Sequence, residues 1–178
     1  MIAFVSGGAR SGKSVVAEAV IAEWQAVRGG ERYYLATARP GDDEMVARIA
    51  RHRRQRGDGW VTLEPPLAFA ETLATFPRGS TVLLDCLTVW ASRVMFEAGL
   101  EDADGRAMLS AGLHEARRRE LALAVVSNDL NEELPPRDAL VWRYQAFLQG
   151  LHRDLAAEAD RVIEVVAGRA IDWKGESP

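Results

Sequence analysis

The chain has one cysteine, Cys86, in 178 residues. A single thiol excludes an intrachain disulfide framework and a cysteine-built zinc cluster. No run of 18 or more uncharged apolar residues is present, so no segment is expected to cross a bilayer as a helix. Internal repeats and low-complexity tracts are also lacking. Neither sign of charge dominates: 22 Lys+Arg against 26 Asp+Glu give a formal −4, which argues against a nucleic-acid surface while leaving room for a local basic patch. The apolar first residues pass straight into a glycine-rich loop with no signal-peptide cleavage pattern, and a soluble cytoplasmic protein is the expectation. The rest is an ordinary globular composition, 48% hydrophobic, at a length that suits a single catalytic domain over residues 1–178.

What is present is concentrated near the N-terminus. Residues 7–14 read GGARSGKS and directly follow Ile2, Ala3, Phe4 and Val5. This is a full match to GxxxxGK[ST], with Gly7, Gly12, Lys13 and Ser14 at the fixed positions, set between a buried strand and an amphipathic segment. In such a loop the backbone N–H groups of Gly8, Ala9, Arg10 and Ser11 turn toward one point and can surround the β-phosphate of a nucleotide. Gly12 permits close approach, Lys13 reaches the β and γ oxygens, and the Ser14 hydroxyl can ligate Mg²⁺. The prediction is a protein that binds a nucleoside triphosphate.

Strands and helices alternate along the chain. Apolar runs predict strands at 2–5, 32–36, 61–63, 81–85, 121–127 and 161–166, with 171–173 closing a terminal hairpin that turns near Gly168. Helical spacing predicts helices at 13–27, 66–75, 89–98, 106–119 and 138–159. A further helix is expected from Asp42, a fitting N-cap, with Met45, Ile49 and His52 on one stripe and Arg48, Arg51, Arg53, Arg54 and Arg56 making its second half basic. Residues 97–105 read as an exposed connection. The alternation implies a mainly parallel sheet with helices on both faces, the three-layer fold of RecA-like P-loop nucleoside triphosphatases.

Several residues outside the loop could carry chemistry. Asp85 ends the apolar run TVLLD, and the carboxyl edge of a parallel sheet faces the ligand crevice. It could hold Mg²⁺ or take up a substrate hydroxyl, or it could cap the next helix. His52 shares a stripe with Met45 and Ile49, as a packed boundary histidine would. Its arginine neighbours would equally keep the imidazole neutral and nucleophilic toward phosphorus, and could clamp a triphosphate. Without an aromatic stacking platform, that basic run is a poor nucleic-acid signal. Asn128, Asp129 and Asn131 follow a strand end and suit substrate contacts or turn capping alike. Trp142, Tyr144 and Phe147 read as packing residues, and His114 and His152 as isolated structural or exposed histidines.

GGARSGKS, DDEMVARIARHR at 42–53 and LLDCLT at 83–88 together resemble the bifunctional adenosylcobinamide kinase / adenosylcobinamide-phosphate guanylyltransferase family of cobalamin biosynthesis. The resemblance is good through residue 88 and continues more weakly to AAEADRVIEVVAG at 156–168. It implies two reactions: phosphorylation of the aminopropanol hydroxyl of adenosylcobinamide by ATP or GTP, then transfer of GMP from GTP through a covalent guanylyl-histidine. His52 falls on the position of that histidine. Lys13 and Asp85 join it as expected catalytic residues, Ser14 and Asp85 as Mg²⁺ ligands. Arg48, Arg53, Glu64 and Asp85 complete the expected nucleotide-binding set with residues 7–14. Asp85 is a shortened carboxylate where the family commonly has Glu. A homo-oligomer, trimeric in the type case, is also implied, with a corrinoid substrate and no nucleic-acid partner.

The second half departs from the pattern. Asn128-Asp129-Leu130-Asn131 stands where the family usually reads NEVG. Gln145-Ala146, Gln149 and His152-Arg153 replace its arginine–aspartate pair, glycine and asparagine–glutamine pair. Two other readings remain open: a P-loop small-molecule kinase without guanylyltransferase activity, and a P-loop ATPase acting on a protein or nucleic-acid partner.

Overall fold

A computed structural model describes residues 1–38, 59–130 and 138–175. The helix expected at 42–56, with Arg48, His52 and Arg53, lies outside the described residues, as does Asn131. Strands β1 (Ile2–Gly7), β2 (Arg32–Ala36), β3 (Trp60–Leu63), β4 (Thr81–Asp85), β5 (Ala122–Asn128), β6 (Arg161–Val166) and β7 (Arg169–Lys174) form one sheet in the order β3-β2-β4-β5-β1-β6-β7. Every neighbouring pair is parallel except β6–β7. The helices are α1 (Lys13–Arg28), α2 (Ala70–Thr75), α3 (Leu87–Ser92, running into a wider turn at Arg93–Glu97), α4 (Asp102–Arg118) and α5 (Ala139–Glu158).

Side-chain alternation along the central strands divides the core into two layers. Phe4, Leu84, Leu123 and Val125 point toward a large cluster shared with α2 to α5. Their neighbours Val5, Leu83, Ala124 and Val126 point to a second cluster with Ala17, Ile21 and Trp24 of α1. Near-continuous apolar strands are what a sheet buried on both faces requires. The three-layer fold and the terminal hairpin stand as expected. Ala167 and Gly168 both take positive φ, 49° and 80°, which suits a two-residue hairpin turn.

Two helix starts differ from expectation by about a full turn. Residues 102–105 are not a connection but the first turn of α4, because the Glu101 N–H donates to the Asp104 carboxylate at 3.2 Å and fixes the helix start before the apolar spacing begins. The helix expected from residue 66 starts only at Ala70; its would-be first turn instead carries the Leu67 carbonyl, which accepts from the Trp90 indole at 2.9 Å.

Candidate functional site

The carboxyl edge of the sheet brings the predicted groups together. β1 ends at Gly7, and α1 starts at Lys13 from a left-handed Gly12 (φ +93°), a conformation glycine adopts without the Cβ penalty. No side chain caps the start of α1 and no acidic residue lies in its first turn, so the positive end of its dipole faces whatever occupies the loop. The loop is fastened from beneath. The Gly168 N–H donates to the Ser11 carbonyl at 2.9 Å, and the Asp129 N–H to the Gly7 carbonyl at 3.0 Å. A Cβ on Gly7 would stand 2.5 Å from the Val165 carbonyl oxygen and 2.6 Å from Ser11 Oγ. Lys13 is buried, and its Nζ donates to the Gly8 carbonyl at 3.0 Å across the mouth. Ser11 Oγ is buried without a hydrogen-bond partner. The loop's own Ser11 N–H is taken up by the Gly8 carbonyl at 3.2 Å, while the unsatisfied Ser11 hydroxyl and the buried Lys13 ammonium beside an uncapped helix start fit a polyphosphate.

Asp85 lies two strands from the loop, because β5 separates β4 from β1, a lateral offset of about 10 Å. The Tyr34 hydroxyl donates to Asp85 Oδ2 at 2.7 Å and leaves Oδ1 for another partner. Burial first, and then the adjacent Asp85 carboxylate, push the Cys86 thiol up to about 11, against the opposing charge of Lys13. Beside this pair, Thr37 is fully buried and clamped. Its N–H donates to the Asp85 carbonyl at 3.1 Å, its hydroxyl to the Cys86 carbonyl at 2.8 Å, and its own carbonyl accepts from Arg93 Nη1 at 3.2 Å. Among the described residues no three His, Cys, Asp or Glu side chains converge on a metal position.

Not every predicted residue joins this group. Glu64 is exposed just beyond β3, the edge strand, four strand spacings or about 19 Å from β1. Ala9 and Arg10 form the exposed loop tip, Arg10 in a left-handed conformation (φ 61°). Of the aromatic trio, Phe147 packs in the core as expected, while Trp142 is half-exposed. Tyr144 spends its hydroxyl on the Thr88 carbonyl at 2.7 Å.

Sequence reading missed Tyr34, Thr88 and His152, which sit in ordinary strand or helix patterns, and Thr37, the first residue after β2. His152 is not isolated. Its Nε2 lies 2.7 Å from Ser127 Oγ, and its ring lies 5.1 Å from that of Phe4. Burial, opposed by the Asp129 carboxylate, pushes its pKa down to about 4. Folding thus favours the neutral imidazole. That stability is fully present above pH 6.5 and is lost as pH falls toward 4, a span worth about 3 kcal/mol. Urea unfolding of the wild type and His152→Gln at pH 7 and pH 4 should show the wild type losing about 3 kcal/mol more than the variant. Equal losses would rule out a buried neutral His152.

Comparison with known proteins shows the family to which the chain belongs. The profile of the family described as "Cobinamide kinase / cobinamide phosphate guanyltransferase" matches residues 3–173. The chain is 40% identical over 174 residues to the "Bifunctional adenosylcobalamin biosynthesis protein CobP" of Pseudomonas aeruginosa, covering 97% of this chain and 96% of that one. It is 31% identical over 186 residues to the CobU protein of the same description from Escherichia coli, covering 98% and 100%. Among solved structures, a KaiC-like protein from Pyrococcus horikoshii superposes with a TM-score of 0.55 at 13% identity, over 92% of this chain and 69% of that one. The flagellar accessory protein FlaH of Methanocaldococcus jannaschii superposes at 0.52 and 11% identity, over 98% and 78%. These two likenesses establish the RecA-like P-loop fold alone. The full-length match and the 40% identity establish the rest: the chain belongs to the cobinamide kinase / cobinamide phosphate guanyltransferase family.

Proposed function

We propose that the protein phosphorylates adenosylcobinamide with a nucleoside triphosphate and then transfers GMP from GTP to that phosphate, releasing pyrophosphate. The observation that carries this is the phosphate loop: uncapped α1, buried Lys13 and the orphan Ser11 hydroxyl face the edge that also bears Asp85, in a chain matched to the family nearly end to end. In the first reaction the acceptor hydroxyl attacks the γ-phosphorus, the bond to the β-bridging oxygen breaks, and the hydroxyl proton is lost. The chain's part is alignment and charge stabilisation: loop amides and Lys13 hold the phosphates, and Asp85, oriented by Tyr34, stands across the end of β5. When bound, Mg²⁺ at Ser14 and Asp85 offsets charge on the phosphate oxygens.

In the second reaction an imidazole nitrogen of His52 attacks the α-phosphorus of GTP. A P–N bond forms, the α–β P–O bond breaks and pyrophosphate leaves. The acceptor's phosphate oxygen then displaces the imidazole. Covalent capture lets GTP be opened before the bulky corrinoid phosphate is in place. Arg48 and Arg53 are the proposed clamp on the triphosphate. We further propose a cytoplasmic homo-oligomer, a trimer, supported by the exposed apolar side chains of Leu140, Val141 and Trp142 at the start of α5.

The experiment is incubation with Mg²⁺ and GTP labelled at the α-phosphate, then denaturing electrophoresis beside His52→Ala. Wild type is expected to keep an acid-labile, base-stable label that the variant lacks. No label, with adenosylcobinamide still phosphorylated from a γ-labelled donor, would leave a kinase only.

A further inference from the structure

The long helix α5 reaches the carboxyl edge of the sheet through a chain of side-chain hydrogen bonds. His152 Nε2 lies 2.7 Å from Ser127 Oγ, and Ser127 Oγ lies 2.9 Å from Thr88 Oγ1. Thr88 Oγ1 in turn accepts the Asn128 N–H at 2.8 Å. Ser127 is fully buried and Thr88 is 8% exposed, so water does not compete for these bonds. Whichever way the hydroxyl protons point, Thr88 Oγ1 remains the acceptor for Asn128. The Tyr144 hydroxyl, also on α5, holds the Thr88 carbonyl at 2.7 Å. The chain of bonds is confined to the α5 face of the sheet, since Ser127 continues the row of Leu123 and Val125. Strand alternation places Asn128 in the other row, with Ala124 and Val126, on the α1 face.

That position matters because of strand order. β5 lies between β1, which leads into the phosphate loop, and β4, which ends in Asp85. Whatever rests over the end of β5 lies between the transferred phosphate and the carboxylate, where an acceptor hydroxyl belongs. Two of the loop's ties, Gly168 on Ser11 and Lys13 on Gly8, lie outside this chain of bonds, and the third, the Asp129 N–H on the Gly7 carbonyl, secures only the loop's first residue. Resting on the kinase reading above, we infer that His152 is a positioning residue for the acceptor: through Ser127 and Thr88 it fixes the end of β5 at Asn128 and Asp129, beside Gly7. His152 and its partners thereby give one face of the sheet control over a polar strand end on the other.

Two variants test this. His152→Phe keeps the ring against Phe4 and removes the hydrogen bond, whereas His152→Gln can return an amide to the place of Nε2. Amide hydrogen exchange is measured at Asn128 in nucleotide-free protein. Acceptor KM, kcat and nucleotide Kd are measured for each variant. In His152→Phe, Asn128 protection is expected to fall about tenfold and acceptor KM to rise about tenfold, with kcat and nucleotide Kd within about twofold; His152→Gln should recover both. Unchanged protection and KM in His152→Phe would overturn the inference. So would a parallel loss of kcat, KM and nucleotide affinity, or absence of rescue by glutamine. A wild type that does not phosphorylate adenosylcobinamide would defeat the kinase reading instead, and the exchange measurement would still decide whether His152 holds Asn128.

Discussion

Replacing Lys13 by alanine is expected to lower phosphoryl transfer by about 10²–10³-fold while leaving the fold intact. The ammonium is buried at the loop mouth and bonded to the Gly8 carbonyl, so it is already positioned before nucleotide arrives and needs only to turn onto a phosphate oxygen. A charge fixed in a site shielded from water acts far more strongly on developing negative charge than one free in solvent. The truncation removes the charge-assisted hydrogen bond to the Gly8 carbonyl, the kind worth about 1.5–3 kcal/mol, so some stability is lost while the fold is kept. Lys13→Arg should fail nearly as badly, because a planar guanidinium cannot replace a compact ammonium inside this loop. Initial rates with a γ-labelled donor, beside circular dichroism and thermal unfolding, check this. Activity within tenfold of wild type would remove Lys13 from the catalytic set.

The largest stability effect is expected at a position with no chemistry. Gly112 lies within α4, where alanine would ordinarily gain about 1 kcal/mol in helix propensity. A Cβ there would instead be driven into the ring of Phe69. That ring is fully buried and set edge-on to Trp90 at 5.8 Å, and Trp90 is tied to the Leu67 carbonyl. It cannot swing aside without disturbing both partners. Overpacking should outweigh propensity, with Gly112→Ala destabilising by about 1–3 kcal/mol and Gly112→Val by about 4. Gly150 supplies the contrast. It lies in α5, its nearest outside atom is Arg106 Cδ at 3.9 Å, and Gly150→Ala should be neutral or stabilising by up to about 1 kcal/mol. Urea unfolding of the three variants decides the matter; a Gly112→Val protein as stable as wild type would mean that the α2–α4 contact is loose.

The opposite behaviour of these two helical glycines shows where sequence reading stops. Both occupy helices and neither is marked by its neighbours in the chain. Only the facing element, an aromatic ring in one case and the end of an arginine stem in the other, distinguishes them. The same holds at the site. The loop GGARSGKS was legible because eight consecutive residues determine its backbone, and local chemistry at short range is what a linear pattern records. Asp85 was legible because an apolar strand with a terminal carboxylate has a known edge. Tyr34, Thr37, Thr88 and His152 were not. Each contributes through a partner at least 25 residues away in the chain, as with His152 and Ser127 or Tyr34 and Asp85.

By itself the sequence determined the phosphate loop, the parallel α/β class and the family, because hydrophobic period and contiguous motifs are set by neighbours along the chain. Tertiary structure alone decided strand order, and with it which residues meet. Placing β5 between β1 and β4 sets Asn128 between loop and carboxylate, and packing α5 across the sheet brings His152 to Ser127. Those meetings depend on crossover connections and buried packing between distant segments, for which a linear sequence carries no local signal.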